Sequence, residues 1–126
     1  MSTILMLICL AITHHNSDPI ANTVWTFQVG KGCTDTLKLK AHQIATEYDC
    51  EVKYTFHGSF KVIKDSLLIT EKDDSHSEDS GKISWYRTKY LIRKDVLYCV
   101  SKGRLVNNKW KETKVSPPEI GYRRVK

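Results

Sequence analysis

Apolar and polar residues alternate along most of the chain from residue 22 onward, with a period close to two. This is the period at which the side chains of a β-strand point to the same side. No segment shows a convincing amphipathic-helix spacing. The pattern predicts eight or nine strands, in residues 23–29, 36–41, 47–57, 60–64, 67–71, 82–93, 96–101 and 121–126, with a further strand within 105–113.

The connections between these segments are short. Gly30 and Gly32 break the first strand, since glycine permits turn dihedrals, and further turns are predicted at 57–59, 64–66 and 93–95. Turns of this length join antiparallel neighbours. The chain therefore predicts an all-β, up-and-down meander, closed into a small barrel of about eight strands because closure removes exposed edges.

Some parts of this architecture stay open. A two-sheet sandwich is the alternative, although it usually needs longer crossovers, and only the acidic segment 72–81 is long. Residues 41–48 predict either a short helix or a tight return into the next strand. Pro117 and Pro118 exclude ladder pairing where they lie.

The phases of the strands predict which side chains face inward. In residues 47–57 the inward phase is Tyr48, Cys50, Val52, Tyr54 and Phe56. These aromatics and others either fill the barrel or line a cavity for a small apolar ligand; a buried tyrosine hydroxyl needs a partner, which a ligand or water would supply. The candidates for the interior are Trp25, Phe27, Tyr54, Phe56, Phe60, Tyr86, Tyr90 and Tyr98.

The N-terminal segment differs from the rest of the chain. Residues 4–12 form an uninterrupted apolar run, which is too short to span a bilayer as a helix and has the size of a signal-peptide core. We therefore expect residues 1–21 to be a signal peptide or leader and residues 22–126 to be the folded domain, exported to the periplasm or the extracellular space. The alternative is a buried N-terminal strand or helix.

The cysteines support a single disulfide. After removal of the leader, Cys33, Cys50 and Cys99 remain, so at most one internal bridge can form. Cys33 and Cys50 flank a predicted strand pair with 16 residues between them, and we expect them to be bridged. Cys99 is expected to be a buried, small apolar residue. No Cys-x-x-Cys pair is present, and no metal site is predicted.

The charge of the chain allows a second kind of function. The formal net charge is +6, and a basic surface can contact anionic polymers. The bases that this interpretation would use are Lys38, Lys40, Arg87, Lys89, Arg93, Arg123 and Arg124. The alternative is that lysines keep the outer strand faces soluble and prevent edge-to-edge pairing.

Four sequence segments, in this order, resemble the small bacterial lipocalin-like domains of the calycin type. Residues 24–27 are similar to the first-strand tryptophan motif, although Thr23 stands where the usual glycine would be. Residues 58–62 with 65–70 resemble the family's "glycine, strand, aspartate, turn, strand" hairpin, and residues 90–92 with 95–98 resemble a late repeat of it. Residues 122–126 are similar to its basic closing strand. The resemblance covers most of residues 22–126 and implies the barrel fold, whereas functions vary too widely within such folds to be transferred.

The sequence shows no catalytic motif. It has no Gly-x-Ser-x-Gly, no phosphate-binding glycine loop and no paired-histidine helix. We expect a non-enzymatic, exported barrel that binds a small hydrophobic ligand, or alternatively a surface module for an anionic polymer or protein partner. We further expect a monomer with no cofactor, no transmembrane span and no specific nucleic-acid partner.

Overall fold

The protein is an eight-stranded antiparallel barrel in a computed structural model that describes residues 19–75 and 81–126. Each strand pairs with the next one along the chain, and β1 also pairs with β8, so the sheet is closed. The predicted fold class is therefore confirmed. The strands are β1 Thr23–Gly30, β2 Cys33–Leu39, β3 Ile44–Asp49, β4 Tyr54–Ile63, β5 Ser66–Asp73, β6 Ser84–Arg93, β7 Val96–Val106 and β8 Lys109–Arg124.

Closure depends on a short ladder between the first and last strands. Trp25 is paired with Leu37 of β2 on one side and with Arg124 of β8 on the other. Just beyond it, the backbone N–H of Val125 donates to the carbonyl of Val24 at 2.8 Å. The sheet therefore has no unpaired edge along this seam, where an open sheet would present free backbone groups.

The up-and-down order gives the barrel two distinct ends. At the end that we call the packed end, short connections join β2 to β3, β4 to β5 and β6 to β7. At the opposite end, the open end, connections join β1 to β2, β3 to β4, β5 to β6 and β7 to β8. A short 3-10 helix, Ala41–Gln43, lies between β2 and β3, so residues 41–48 contain both the short helix and the return that the sequence left as alternatives.

The apolar core occupies the packed end. Burial of large aliphatic and aromatic side chains is the main favourable contribution to folding. The indole N–H of Trp25 donates to the hydroxyl of Thr23 at 2.8 Å, and that hydroxyl donates to the carbonyl of Ile20. Thr23 thus gives the buried indole its partner at the position where the resembled family has glycine. The fully buried large side chains are Trp25, Leu37, Leu39, Leu67, Ile69 and Leu97.

Residues 47–57 do not form one strand, and this prediction was wrong. β3 ends at Asp49 and β4 begins at Tyr54. The carboxylate of Asp49 accepts hydrogen bonds from the N–H groups of Glu51 at 2.9 Å and Val52 at 3.3 Å. An aspartate that bonds to the backbone shortly after itself favours a turn over a continued strand.

This turn changes the phase of the strand before it. In β3 the buried side chains are Ala45 and Thr46, and the interior face continues with Glu47 and Asp49. Tyr48 is on the outer face, and Val52, in the turn, is 63% exposed. The predicted inward positions of Tyr48 and Val52 are therefore wrong, because the turn interrupts the alternation on which they rested.

The predicted turn at residues 57–59 is also wrong, since these residues lie within β4. Gly58 pairs with Ala45 of β3 and with Glu71 of β5. A Cβ at Gly58 would overlap the carbonyl of Thr70 and lie 2.8 Å from the Cα of Glu71. The glycine therefore allows a close approach of β5 and does not mark a turn.

Near the C-terminus, β7 and β8 form a long hairpin. Asn107 and Asn108 have positive φ values of 51° and 63°, as a tight hairpin turn requires. The predicted strand around Trp110 is thus the start of β8. The ladder skips from Glu119 to Lys114, which leaves Pro117 and Pro118 unpaired as predicted.

The predicted leader lies outside the described residues except for 19–21. Ile20, which precedes the predicted domain start at residue 22, is buried in the core cluster. Among the described residues, no helix has the length and apolar character needed to cross a membrane.

Candidate functional site

A cavity of about 480 Å³ occupies the interior toward the open end of the barrel. Its walls are formed by the interior faces of the strands, and its floor lies above the packed core. Five aromatic side chains, Phe27, Phe56, Tyr86, Tyr90 and Tyr122, line it. The cavity is also lined by six carboxyl groups, those of Asp35, Glu47, Asp49, Glu71, Asp73 and Glu119.

The inward position of these carboxyl groups follows from the alternation of side chains along the strands. Leu67 and Ile69 are buried in β5, and the same face continues two residues at a time to Glu71 and Asp73. In β2, Asp35 precedes the buried Leu37 by two residues. The interior faces of β2 and β5 are thus apolar near the packed end and acidic near the open end. These residues were not predicted from the sequence, although carboxyl groups that continue the inward side of an apolar alternation were the available signal.

Most of the carboxyl groups have hydrogen-bond partners that carry no charge. Asp35 accepts from the backbone N–H of Cys50 at 2.9 Å, and Asp73 accepts from the N–H of Ser75 at 2.9 Å. The hydroxyl of Tyr122 donates to Oε2 of Glu47 at 2.6 Å. Such bonds orient the carboxylates toward fixed positions but add no positive charge to the cavity.

Glu71 differs from the other carboxyl groups. Only 8% of its surface is exposed, and within the described residues its carboxyl group forms no hydrogen bond and no ion pair. Burial, and secondarily the charge of Glu47, raises the pKa of Glu71 to about 8. Burial also raises the pKa of Glu47, which the hydrogen bond from Tyr122 partly counteracts. Two interacting carboxyl groups therefore face one partly dry interior.

Tyrosine side chains form the deep part of the cavity. The rings of Tyr90 and Tyr122 meet edge to face with centroids 6.1 Å apart. Burial, followed by the charge of Glu47, raises the pKa of both hydroxyls, which are therefore neutral at physiological pH. Lys102 is the lysine of the lining, and its charge lowers the pKa of Glu47.

The predicted interior aromatics are divided among different parts of the barrel. Phe27, Phe56, Tyr86 and Tyr90 line the cavity, whereas Trp25 and Phe60 belong to the packed core. Tyr54 lies near the mouth, where its hydroxyl donates to Asp74 and its ring packs edge-on against Phe56 with centroids 4.9 Å apart.

Tyr98 lies outside this set. It stands between Leu97 and Cys99, whose side chains are both buried, and alternation therefore places Tyr98 on the outer face. Its predicted inward position was wrong. The apolar run of β7 has bulky residues on both faces, and its pattern therefore does not reveal which face points inward.

The predicted disulfide between Cys33 and Cys50 is confirmed, with 5.4 Å between the two Cα atoms. It ties the start of β2 to the turn after β3 at the open end. Because the N–H of Cys50 donates to Asp35, the bridge also fixes one acidic side of the cavity. Among the described residues, Cys99 is buried and free.

Six of the seven basic residues proposed for anionic polymers lie on three separate strands, β2, β6 and β8, and Lys40 lies in the connection after β2. Arg93 donates to Asp65 at 2.8 Å. Arg87 pairs with Glu112 and lies 4.4 Å from the ring centroid of Trp110. Two of the seven bases thus already have acidic partners on this surface. The seven bases are spread over several elements of the barrel and do not form a continuous basic strip of the kind that binds an anionic polymer.

The fold defines the class of protein as a closed, up-and-down β-barrel with an internal cavity, compatible with a lipocalin-like barrel. Comparison with protein-family models, with curated proteins and with solved structures gave no match for this chain. In the part of the chain that the structure describes, no three His, Cys, Asp or Glu side chains are placed to hold a metal ion.

Proposed function

We propose that this chain is a non-enzymatic, lipocalin-like barrel that binds a small organic molecule in its interior. The observation that carries the proposal is the cavity of about 480 Å³ at the open end of a closed barrel. Small-molecule sites generally are concave, with volumes of roughly 300–1,000 Å³, and combine apolar walls with a few polar groups. The aromatic side chains and the oriented carboxyl groups fit this description.

The division of the barrel into two ends supports the same function. Stability comes from the packed end, where Trp25, Leu37 and Leu97 are fully buried. The open end contains the cavity, and among its lining residues only Tyr90, Cys99 and Tyr122, in its deep part, also belong to the core cluster. Phe27 and Tyr86, which are 39% and 37% exposed, stand near the mouth and offer apolar surface to an entering molecule.

We further propose that the protein is exported and acts as a monomer. A disulfide such as Cys33–Cys50 persists in an oxidising compartment, and a closed barrel offers no free sheet edge to a second copy. Because Ile20 is part of the core, we expect the leader to be cut before this residue. Mass spectrometry of exported protein gives the cut site, and light scattering gives the oligomeric state.

A neutral, environment-sensitive dye, N-phenyl-1-naphthylamine, tests binding in the cavity. Thr88 lines the cavity, and Thr88→Trp should fill it and abolish saturable fluorescence enhancement. Thr55 lies on the outer face of β4 in a surface groove, so Thr55→Trp is the matched control and should bind like the wild type. The absence of saturable binding by the wild type, or equal binding by both variants, would overturn the proposal.

The same experiment addresses the absence of catalysis. The dye is expected to be recovered chemically unchanged after prolonged incubation, as judged by mass spectrometry. Conversion of a bound molecule by the wild type, lost in Glu71→Gln, would identify the carboxyl pair as a catalytic site and contradict the non-enzymatic proposal.

A further inference from the structure

The interior of the barrel has a charge opposite to that of the whole chain. The chain carries a formal net charge of +6, yet six carboxyl groups and one lysine, Lys102, line the cavity. Carboxylates that share a confined space repel each other, and their field is stronger there than in water. A cation in the cavity would relieve this repulsion, whereas an anion would increase it.

Glu71 gives an independent indication of a ligand. Its side chain lines the cavity with 8% of its surface exposed, and it has no side-chain partner among the residues that the structure describes. No enclosed side-chain oxygen or nitrogen atom of the described residues lacks a hydrogen-bond partner, so the unpartnered oxygens of Glu71 face the cavity itself, where burial weakens their hydration. The position of Glu71 is therefore understandable if a donor from outside the chain occupies the cavity.

The surroundings of Glu71 leave room for such a donor. Its neighbour in the ladder on β4 is Gly58, which has no side chain. Its neighbour on β6 is Tyr86, an aromatic lining residue. Phe56 precedes Gly58 on the same interior face and is paired with Glu47. Glu47 on β3 and Glu71 on β5 thus lie on either side of β4. Between them, the interior surface of β4 consists of Gly58 and the ring of Phe56.

The size and the aromatic content of the cavity indicate an organic ligand. A volume of about 480 Å³ is that of a site for a small molecule, far more than a bare metal ion fills. Aromatic faces attract cations as well as apolar groups, and Phe27, Phe56, Tyr86 and Tyr90 supply such faces.

We propose that the ligand of the cavity is a small organic cation, a protonated amine with an aromatic or aliphatic body. Its ammonium group is held between Glu47 and Glu71, and its body lies against Phe56 and Tyr86. This inference rests on the proposed binding function and specifies the chemical class of its ligand.

Three probes of matched shape test the class: 2-phenylethylamine, 2-phenylethanol and 3-phenylpropionate. Isothermal titration calorimetry at constant ionic strength and pH 8.5, where the Glu71 carboxyl group is largely ionised and the amine is still protonated, should show the amine binding at least about tenfold more tightly than the alcohol, with the carboxylate weakest. Glu71→Gln should reduce the affinity for the amine about tenfold and leave that for the alcohol unchanged. Glu51→Gln, which removes a carboxyl group in the exposed turn at the same end, is the matched control and should bind like the wild type.

The outcomes separate this inference from the proposed function. Equal affinity for amine and alcohol, or equal losses in the two glutamate variants, would overturn the inference. Binding of N-phenyl-1-naphthylamine without binding of the amine would overturn the cation class and leave the binding function standing. If neither the dye nor any probe binds, both proposals fall. Displacement of the amine by calcium chloride, absent in Glu71→Gln, would replace the organic class with a metal ion.

Discussion

At Glu71 the barrel buries a carboxyl group that water would otherwise solvate, and this burial has a consequence for stability. The pKa of Glu71 is raised from its ordinary value of 4.5 to about 8 in the folded protein. Between these pH values the folded state holds more protons than the unfolded state. The free energy of unfolding therefore falls as the pH rises, by at most about 1.4 kcal/mol per pH unit. The contribution is complete below pH 4.5 and lost above about pH 8.

Glu71→Gln should remove most of this dependence. We expect the variant to be more stable than the wild type at pH 8 by about 2 kcal/mol, less than the full pKa shift implies because the cavity is open to water. In this variant the free energy of unfolding should still fall slightly with rising pH, because the pKa of Glu47 is also raised. Urea unfolding between pH 4.5 and 8.5 measures the effect. Glu51→Gln should retain the wild-type slope, and a wild type whose free energy of unfolding does not change with pH would contradict the burial of an ionisable carboxyl group at residue 71.

At the scale of the strands, Gly58 determines how closely β4 and β5 approach. A Cβ there would overlap the carbonyl of Thr70, which is backbone and cannot move away without disturbing the ladder. Gly58→Ala should therefore lower the free energy of unfolding by about 3 kcal/mol. In Gly30→Ala a Cβ would have no atom within 4 Å, so this control should change stability by less than about 1 kcal/mol. Equal effects in urea unfolding would show that steric contact at residue 58 is not the cause.

The same strands show what the sequence does and does not reveal. Alternation placed Trp25, Phe60 and Tyr90 in the interior correctly, because each lies in a strand with one predominantly apolar face. It failed at Tyr48, where the backbone bonds of Asp49 end the strand, and at Tyr98, where both faces of β7 are apolar. Closure was predictable from the short connections.

The cavity was harder to predict than the barrel. The interior position of Glu71 depends on which of two phases faces inward, and charged residues are usually assigned to the outside. The close approach at Gly58 is a contact between neighbouring strands, and no local pattern distinguishes it from a turn glycine. Site geometry therefore required the register of the whole sheet, whereas fold class required only local periodicity.

At the scale of the whole molecule, the barrel carries positive charge on its outer surface and negative charge in its interior. Basic side chains lie on the outer strand faces, where Arg93 and Arg87 meet Asp65 and Glu112, and carboxyl groups collect inside at the open end. Repulsion among those carboxyl groups opposes closure of that end, and the apolar core is at the other end. The open end thus depends on a covalent constraint more than the packed end does.

That constraint is the disulfide between Cys33 and Cys50. Replacing both cysteines by serine should lower the free energy of unfolding by about 3 kcal/mol, since the bridge closes a loop with a sequence separation of 17 residues and restricts the unfolded chain. We expect the barrel to persist, with an unchanged β-type circular dichroism spectrum, because Trp25, Leu37 and Leu97 lie at the packed end. Urea unfolding of the wild type with added reductant should match that of the double variant, and reductant should not affect the variant further. A loss of the dichroism spectrum without urea would show that the packed end cannot sustain the barrel alone.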